Sequence, residues 1–316
     1  MKTLLVIGGT GFFGKSILDA FGRGLLKPWN VTHVIVMSRH VDGLLKAAPQ
    51  LVNKEVTLLP ADITTTDSLP FADYVIHAAA STDVRDYISQ PEQEKLNILA
   101  GTYHYCELAK QFHTKSKIVY VSSGAIYGKQ PTELEKISED YKFLDLEDIS
   151  EGRRDYACAK RDAELAIIEL GADGLNVSIA RCFAFVGRWL PRDQHFAIGN
   201  FMRDILEGGP IVVQAKHQVY RSYMYADDLV EWLMTIVNNA SEKCPTYNVG
   251  SDETILLNDL ANKLAQFYNI KAETHLATEG KADRYIPSIE KAKTELGLCL
   301  RYDLMASIHK AIYALN

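Results

Sequence analysis

The sequence predicts an α/β protein: a doubly wound parallel sheet joined to a smaller, mixed α/β lobe. Three observations carry that expectation. Short apolar runs without polar alternation recur through the first half of the chain. Segments with apolar residues at every third or fourth position lie between them. A glycine-rich turn links the first run to the first such segment. Continuous apolar runs mark strands covered on both faces, and strand–helix–strand repetition makes such a sheet parallel.

The elements follow in order. Thr3 to Ile7 is the first strand run, and Ile17, Phe21 and Leu25 repeat at helical spacing behind it. Val34 to Met37, Glu55 to Leu59 and Tyr74 to His77 give three more strands. Leu96, Leu99 and Tyr103 belong to a helix that precedes a fifth strand, Ile118 to Val121. Val177 to Ala180 is a sixth. After Arg181 the rhythm loosens, with Pro191, Pro210, Pro245 and Pro287 punctuating shorter elements. Met305, Ile308, Ile312 and Leu315 predict a closing helix. The organisation expected is a sheet domain over 1–178 and a lobe over 179–316. Part of 218–250 is expected to return to the sheet domain.

Composition narrows the function classes. The 316 residues hold 34 Lys and Arg against 40 Asp and Glu, a net charge of −6, which argues against nucleic acid as the main partner. An apolar fraction of 47% with 23% charged residues excludes a disordered chain. Cys106, Cys158, Cys182, Cys244 and Cys299 are far apart, without metal or redox spacing, and read as thiols of a reducing compartment. No uncharged apolar run reaches the ~18 residues of a membrane span, and no leader pattern opens the chain. The expectation is a cytoplasmic protein that binds neither membrane nor metal.

The turn Gly8-Gly9-Thr10-Gly11-Phe12-Phe13-Gly14 follows a strand and opens a helix. Glycines at 8, 11 and 14 let backbone amides approach a pyrophosphate at the positive helix end, so the sheet domain is read as a Rossmann-type dinucleotide site. At the end of the second strand stand Ser38 and Arg39, with no acid before Asp42. A hydroxyl and a guanidinium suit the 2′-phosphate of NADP, whereas an acid there would suit NAD. Arg39 can equally stack on adenine or point to water, so NAD stays open. Asp62 and Ile63, after the third strand, are placed to meet the adenine.

Ser122 and Ser123 end the fifth strand, and Tyr156 and Lys160 follow at i, i+4 on a helix. That spacing puts phenol and amine on one helix face. A phenol of pKa ~10 is a poor base at neutral pH, and a neighbouring ammonium lowers it towards the working range. Ser123 can hold a substrate oxygen in line with Tyr156.

With these motifs the chain resembles the extended short-chain dehydrogenases/reductases, in the NAD(P)-dependent nucleotide-sugar epimerase/dehydratase superfamily, over nearly its whole length. Gly8 to Gly14 resembles the cofactor turn, and Ala78, Ala79 and Ala80 the cofactor-lining segment after the fourth strand. Asn97 to Thr102 resembles the family's Asn-and-Gly-Thr helix, Ser122 to Gly128 its active-site serine segment, and Tyr156 to Glu164 its Tyr-and-Lys helix. The resemblance implies that Ser123, Tyr156 and Lys160 are catalytic. It also implies that Tyr156 and Lys160 touch the cofactor, and that two helices pair in a homodimer. In the lobe, Arg221 within Tyr220 to Leu229, Asn200 within Gly199 to Met202, and Arg284 resemble the positions that grip a nucleotide diphosphate. The implied substrate is a nucleotide-diphosphate sugar.

Three positions depart from the family: Ala184 in place of asparagine, Ser222 of aspartate and Leu298 of tryptophan. His195 falls near the expected sugar, as a binding or proton-transfer group or as a structural histidine. The dehydratases of the superfamily carry an acidic pair directly after the active-site Ser or Thr; here Gly124 and Ala125 stand there, and neither can serve elimination. Two reactions remain: reduction of a 4-keto-6-deoxy sugar nucleotide, put first on Ser38 and Arg39, and 4-epimerisation through a transient ketone. A non-catalytic cofactor sensor would typically lack Tyr156 or Lys160. An apolar carbonyl substrate would not need Arg221 and Arg284.

Overall fold

The computed structural model describes residues 1–79, 90–143, 146–147, 149, 151–194, 196–274 and 282–314. The sequence folds first through β1 (Lys2–Ile7), α1 (Phe12–Gly22), β2 (Val31–Ser38), α2 (Val41–Ala47), β3 (Val56–Pro60) and β4 (Tyr74–His77). Then come α3 (Pro91–Phe112), β5 (Lys117–Ser123), α4 (Glu151–Ala172), β6 (Asn176–Cys182) and β7 (Phe185–Val186). α5 (Ala197–Glu207), β8 (Ile211–Val212), β9 (Val219–Arg221), β10 (Met224–Tyr225), α6 (Ala226–Asn238) and β11 (Thr246–Val249) follow. The last elements are β12 (Ile255–Leu256), α7 (Leu257–Tyr268), β13 (Ala272–Glu273), β14 (Asp283–Tyr285), α8 (Glu290–Leu296) and α9 (Leu304–Tyr313).

Two compact units result. One holds Met1–Ile126, Ser150–Cys182 and Val230–Tyr247; the other holds Tyr127–Ile149, Phe183–Leu229 and Asn248–Asn316. The first unit is organised by a seven-stranded sheet in the order β11-β6-β5-β4-β1-β2-β3. Every neighbouring pair from β3 through to β6 is parallel. This is the doubly wound Rossmann-type order, whose direction reverses between β1 and β4, and ligands of such sheets bind beyond the strand ends at that reversal. The apolar runs read from the sequence are buried as a parallel sheet requires: Leu4, Leu5 and Val6 of β1 and Val75 and Ile76 of β4 are fully enclosed. Across one face, Ile98 and Tyr105 of α3 pack with Ala159, Ala163 and Ile167 of α4 over Ile118 and Tyr120 of β5.

The structure adds a strand and shortens a helix. β11 lies beside β6 at the sheet edge. Its run is short and carries a fully buried asparagine, Asn248, which breaks the apolar pattern. Helix α1 stops at Gly22, so Leu25 lies outside it. Gly24 takes a left-handed φ of 80°. Its amide donates to the Phe21 carbonyl, and the Leu25 amide to that of Ala20, the paired bonds of a Schellman cap.

The second unit uses shorter pieces. In one small sheet β9 runs antiparallel to β12 and parallel to β14. The closing helix α9 begins at an Asp303 cap, whose side chain accepts from the Ala306 amide, and it buries Leu304, Ile308 and Ile312 at fourfold spacing. Leu315, expected on it, lies outside the described residues. Among the described residues no helix is long and apolar enough to cross a membrane.

Helix α4 is fixed to β6 by a buried ion pair. Arg181 donates through Nη2 to Glu164 Oε2 at 2.8 Å and through Nε to both carboxylate oxygens at 3.1 and 3.2 Å. Removing one member of a buried pair strands the other charge away from water, a loss of about 3–5 kcal/mol. Glu164→Ala should therefore lower the unfolding free energy by about 3 kcal/mol in urea titration. A change below ~1 kcal/mol, the level of a surface pair, would show the pair to be dispensable.

Candidate dinucleotide and proton-transfer site

The glycine turn after β1 is shaped by two contacts and one opening. Gly8 adopts a φ of 83°, and a Cβ there would stand 2.7 Å from the Ala78 carbonyl oxygen and the Ala79 Cα, just past β4. At Gly14 a Cβ would stand 1.9 Å from the Gly9 carbonyl oxygen, so helix α1 can lie this close to the turn only with glycine. Gly11, the N-cap of α1, is different: among the described residues, apart from its chain neighbours and its own helix backbone, no atom lies within 4 Å of the place a Cβ would take. It gives the first turn of α1 no side-chain cap, and that turn holds no acid. An uncapped, open helix N-terminus favours an anion, so these residues fit the pyrophosphate of a dinucleotide. Thr10, Phe12 and Phe13 lie in the same turn, half-buried.

At the end of β2, the Ser38 hydroxyl lies 3.0 Å from that of Thr10, which ties the strand end to the glycine turn. Arg39 is exposed. Asp62 accepts at Oδ1 from the amide and the hydroxyl of Thr64, at 2.9 and 2.8 Å. Partial burial pushes the Asp62 carboxyl up, but the two Thr64 hydrogen bonds and the nearby Arg39 guanidinium outweigh it and hold the carboxyl below its usual range. Ile63 is buried, and a Cβ at Gly101 of α3 would stand 3.2 Å from it. Asn97 lies on the exposed side of α3 and accepts from Gln93 at 3.0 Å, while its neighbour Ile98 turns into the core. Ala78 and Ala79 are half-buried beside Gly8; Ala80 lies outside the described residues.

The end of β5 gathers the proton-handling residues. Lys160, buried on α4, donates to the Val121 carbonyl at 3.0 Å and to the Tyr120 hydroxyl at 3.2 Å. The next residue, Arg161, donates to the Ile126 carbonyl at 2.8 Å. These bonds fasten α4 to the segment that carries Ser122, Ser123 and the short 3-10 turn Gly124–Tyr127. Ser123 is half-buried and its hydroxyl accepts from the Ala125 amide at 3.2 Å; the Ser122 hydroxyl is buried without a hydrogen-bond partner. Tyr156, half-buried one turn before Lys160, has its ring centre 6.0 Å from the Lys160 nitrogen.

His77, the last residue of β4, is also the first residue of the His77-Ala78-Ala79-Ala80 segment that resembles the family's cofactor lining. It is fully buried between the rings of Tyr105 and Tyr120, at centroid distances of 4.9 and 5.5 Å. Neither ring nitrogen finds a partner in hydrogen-bonding geometry. Burial first, and the Lys160 cation second, press its pKa down to about 4, against weaker support for the charged form from the backbone of His77 and Gly101. At neutral pH the imidazole is uncharged.

In the second unit, β9 and β14 bring Arg221 and Arg284 onto adjacent strands. Arg221 pairs with Asp283 at 2.7 Å and also donates to the Tyr220 and Asp283 carbonyls, at 2.8 and 3.2 Å. The Arg284 guanidinium lies 4.2 Å from the centre of the Tyr220 ring, with its Nε buried and unbonded. The sequence reading missed Tyr220 and Asp283 as partners, because only strand register brings them there. Asn200 sits on α5 with its side-chain oxygen buried and unbonded. His195 lies outside the described residues.

Comparison with known proteins gives this geometry a context. A model of the NAD dependent epimerase/dehydratase family matches residues 4–250. The chain is 26% identical over 341 residues to UDP-glucuronate 4-epimerase 5 of Arabidopsis thaliana, covering 98% of this chain and 74% of that protein. Among solved structures it resembles dTDP-glucose 4,6-dehydratase of Streptomyces venezuelae, with NAD and TYD bound, at a TM-score of 0.81 and 19% identity (98% and 96% covered). It also resembles UDP-glucose 4-epimerase of Thermotoga maritima, with UDP-glucose, at 0.78 and 19% (98% and 97% covered). These structural likenesses are likenesses of fold.

The burial of His77 carries a pH signature. Its pKa lies below the ordinary 6.5, so between pH 6.5 and about 4 the unfolded chain binds the extra proton. The contribution is complete above pH 6.5 and declines as pH falls through that window, by about 3 kcal/mol in total. In His77→Leu, the slope of unfolding free energy against pH should drop by about one proton across the window. An unchanged slope would mean that the folded protein already carries a charged imidazole there.

Proposed function

The chain belongs to the NAD dependent epimerase/dehydratase family, and from that we propose that it is an oxidoreductase acting at C4 of a nucleotide-diphosphate sugar, as a 4-epimerase. The anchoring of Lys160 at the end of β5, one helical turn from Tyr156, is the observation that carries the proposal. In this reading Tyr156 takes the proton of the C4 hydroxyl, Lys160 stabilises the resulting phenolate, and Ser123 holds the C4 oxygen. NAD, when bound, would accept the C4 hydride and give it back to the opposite face of the keto-sugar. After the keto-sugar turns over, Tyr156 returns its proton to the C4 oxygen. Gly124 and Ala125 follow Ser123 with no ionisable side chain, which disfavours elimination of water at this place.

Residues 1–178 are assigned to the dinucleotide, held by Gly8, Thr10, Gly11, Phe12, Phe13 and Gly14, with Ser38, Asp62, Ala78, Ala79, Tyr156 and Lys160 beside it. Residues 179–316 are assigned mainly to the substrate, with Arg221, Arg284 and Asn200 on its diphosphate. Five cysteines, far apart and without metal or redox spacing, suit a reducing cytoplasm.

A second reading, reduction of a 4-keto-6-deoxy sugar nucleotide by NADPH, is favoured by the exposed Arg39 at the end of β2. Asp62 weighs against it, because a carboxylate on the same side of the turn would repel a 2′-phosphate. The two readings separate on cofactor consumption. Incubated with NAD and a panel of UDP- and dTDP-sugars, the protein should interconvert a pair of C4 epimers without net NADH formation. Steady oxidation of NADPH with a 4-keto sugar would select the reductase instead. In either assay Tyr156→Phe should lower turnover at least ~100-fold; full activity in that variant would remove the proton-transfer role.

The same reading makes the protein a homodimer paired through α3 and α4, whose outer faces leave Leu96, Tyr103, Leu165 and Ile168 exposed. Sedimentation at micromolar concentration should return twice the chain mass; a single-chain mass would dismiss the pairing.

A further inference from the structure

Lys160 is surrounded by groups from four elements of the first unit. Tyr120 and Val121 come from β5, His77 from β4, Cys182 from β6, and Tyr156 and Glu164 from its own helix. Glu164 is committed to Arg181. His77 is neutral above about pH 4, and burial pushes the Cys182 thiol up, so it is neutral as well. Among the described residues, what receives the ammonium protons is a carbonyl and one hydroxyl, that of Tyr120.

The carbonyl is backbone and fixed by the strand; the hydroxyl is a choice of side chain. Tyr120 is itself held rigidly. It is 1% exposed, meets the His77 ring at a tilt of 48° and 5.5 Å between centres, and its hydroxyl lies beside that of Thr102, which donates to the Ile98 carbonyl at 2.8 Å. The Lys160 nitrogen also lies over the Tyr120 ring, 4.8 Å from its centre, closer than to Tyr156. Burial, with Glu164 and Cys106 nearby, pushes the Tyr120 phenol far up despite Thr102, so it stays a neutral hydroxyl throughout the working range.

We propose that Tyr120 is the positioning residue that fixes the Lys160 ammonium where it can stabilise the phenolate of Tyr156. This rests on the reading of Tyr156 and Lys160 as the proton-handling pair. A lysine side chain has four rotatable bonds, and one hydrogen bond leaves its head free to swing about that contact. The second bond and the ring beneath restrict it to one place, and the charge acts on Tyr156 from a constant distance.

The test is an ultraviolet difference titration in the phenolate band, on the purified protein saturated with NAD. The wild type should show one phenol ionising below the usual tyrosine value of ~10, absent from Tyr156→Phe. In Tyr120→Phe that ionisation should move up by about one pH unit, towards the value of an unassisted phenol. Tyr120 does not titrate in this range, so its loss leaves the signal clean. An unmoved Tyr156 ionisation in Tyr120→Phe overturns the positioning role. If no low-pH phenol disappears in Tyr156→Phe, the underlying pair is misread instead. Should Tyr120→Phe fail to fold, Thr102→Val decides: an upward shift supports the proposal, and none overturns it.

Discussion

Helix α4 is fastened to the sheet by three polar anchors within little more than one turn, and the geometry of the site depends on them. Lys160 reaches the Val121 carbonyl, Arg161 the Ile126 carbonyl and Glu164 the Arg181 guanidinium. Apolar packing of Ala159, Ala163 and Ile167 presses the helix onto the sheet but leaves it free to slide. Directional bonds to backbone and to a planar guanidinium remove that freedom. Each anchor takes charge out of water, a cost that packing alone would avoid. The return is register: Lys160, with Tyr156 one turn before it, is held at the end of β5.

The second fixed point is the glycine turn, where the constraint is steric. The approach of Gly14 to Gly9 and of Gly8 to the backbone beyond β4 brings two strand ends and one helix end together. The opening at Gly11 is the complement of that crowding. Close packing on either side leaves Gly11 uncrowded among the described residues, at a helix N-terminus whose first amides have no partner within the helix.

How far the sequence foretold this differs from residue to residue. Local periodicity was sufficient for β1 to β6 and for the shared face of Tyr156 and Lys160, because both depend only on spacing along the chain. The end of α1 was missed because Leu25 keeps the apolar period while Gly24 turns the chain out of the helix. β11 was missed because Asn248 interrupts a four-residue run; its side chain bonds Tyr127 and the Ile137 and Ser288 carbonyls, partners distant in sequence. The bond of Tyr120 to Lys160 spans 40 residues, and that of Arg221 to Asp283 spans 62. Contacts of that kind are settled by register between elements, which no local pattern encodes.

The pairing of Arg221 with Asp283 has a bearing on selectivity. A guanidinium already satisfied by an internal carboxylate exchanges one anion for another, so the net gain is the difference between rivals. A lone carboxylate from solution offers nothing that Asp283 does not, and it must also surrender its hydration. A pyrophosphate brings more charge and more acceptor oxygens, enough to compete for the fork. On the proposed substrate assignment the resident acid is a threshold: a diphosphate would have to displace Asp283 or share the fork with it before Arg221 could hold it.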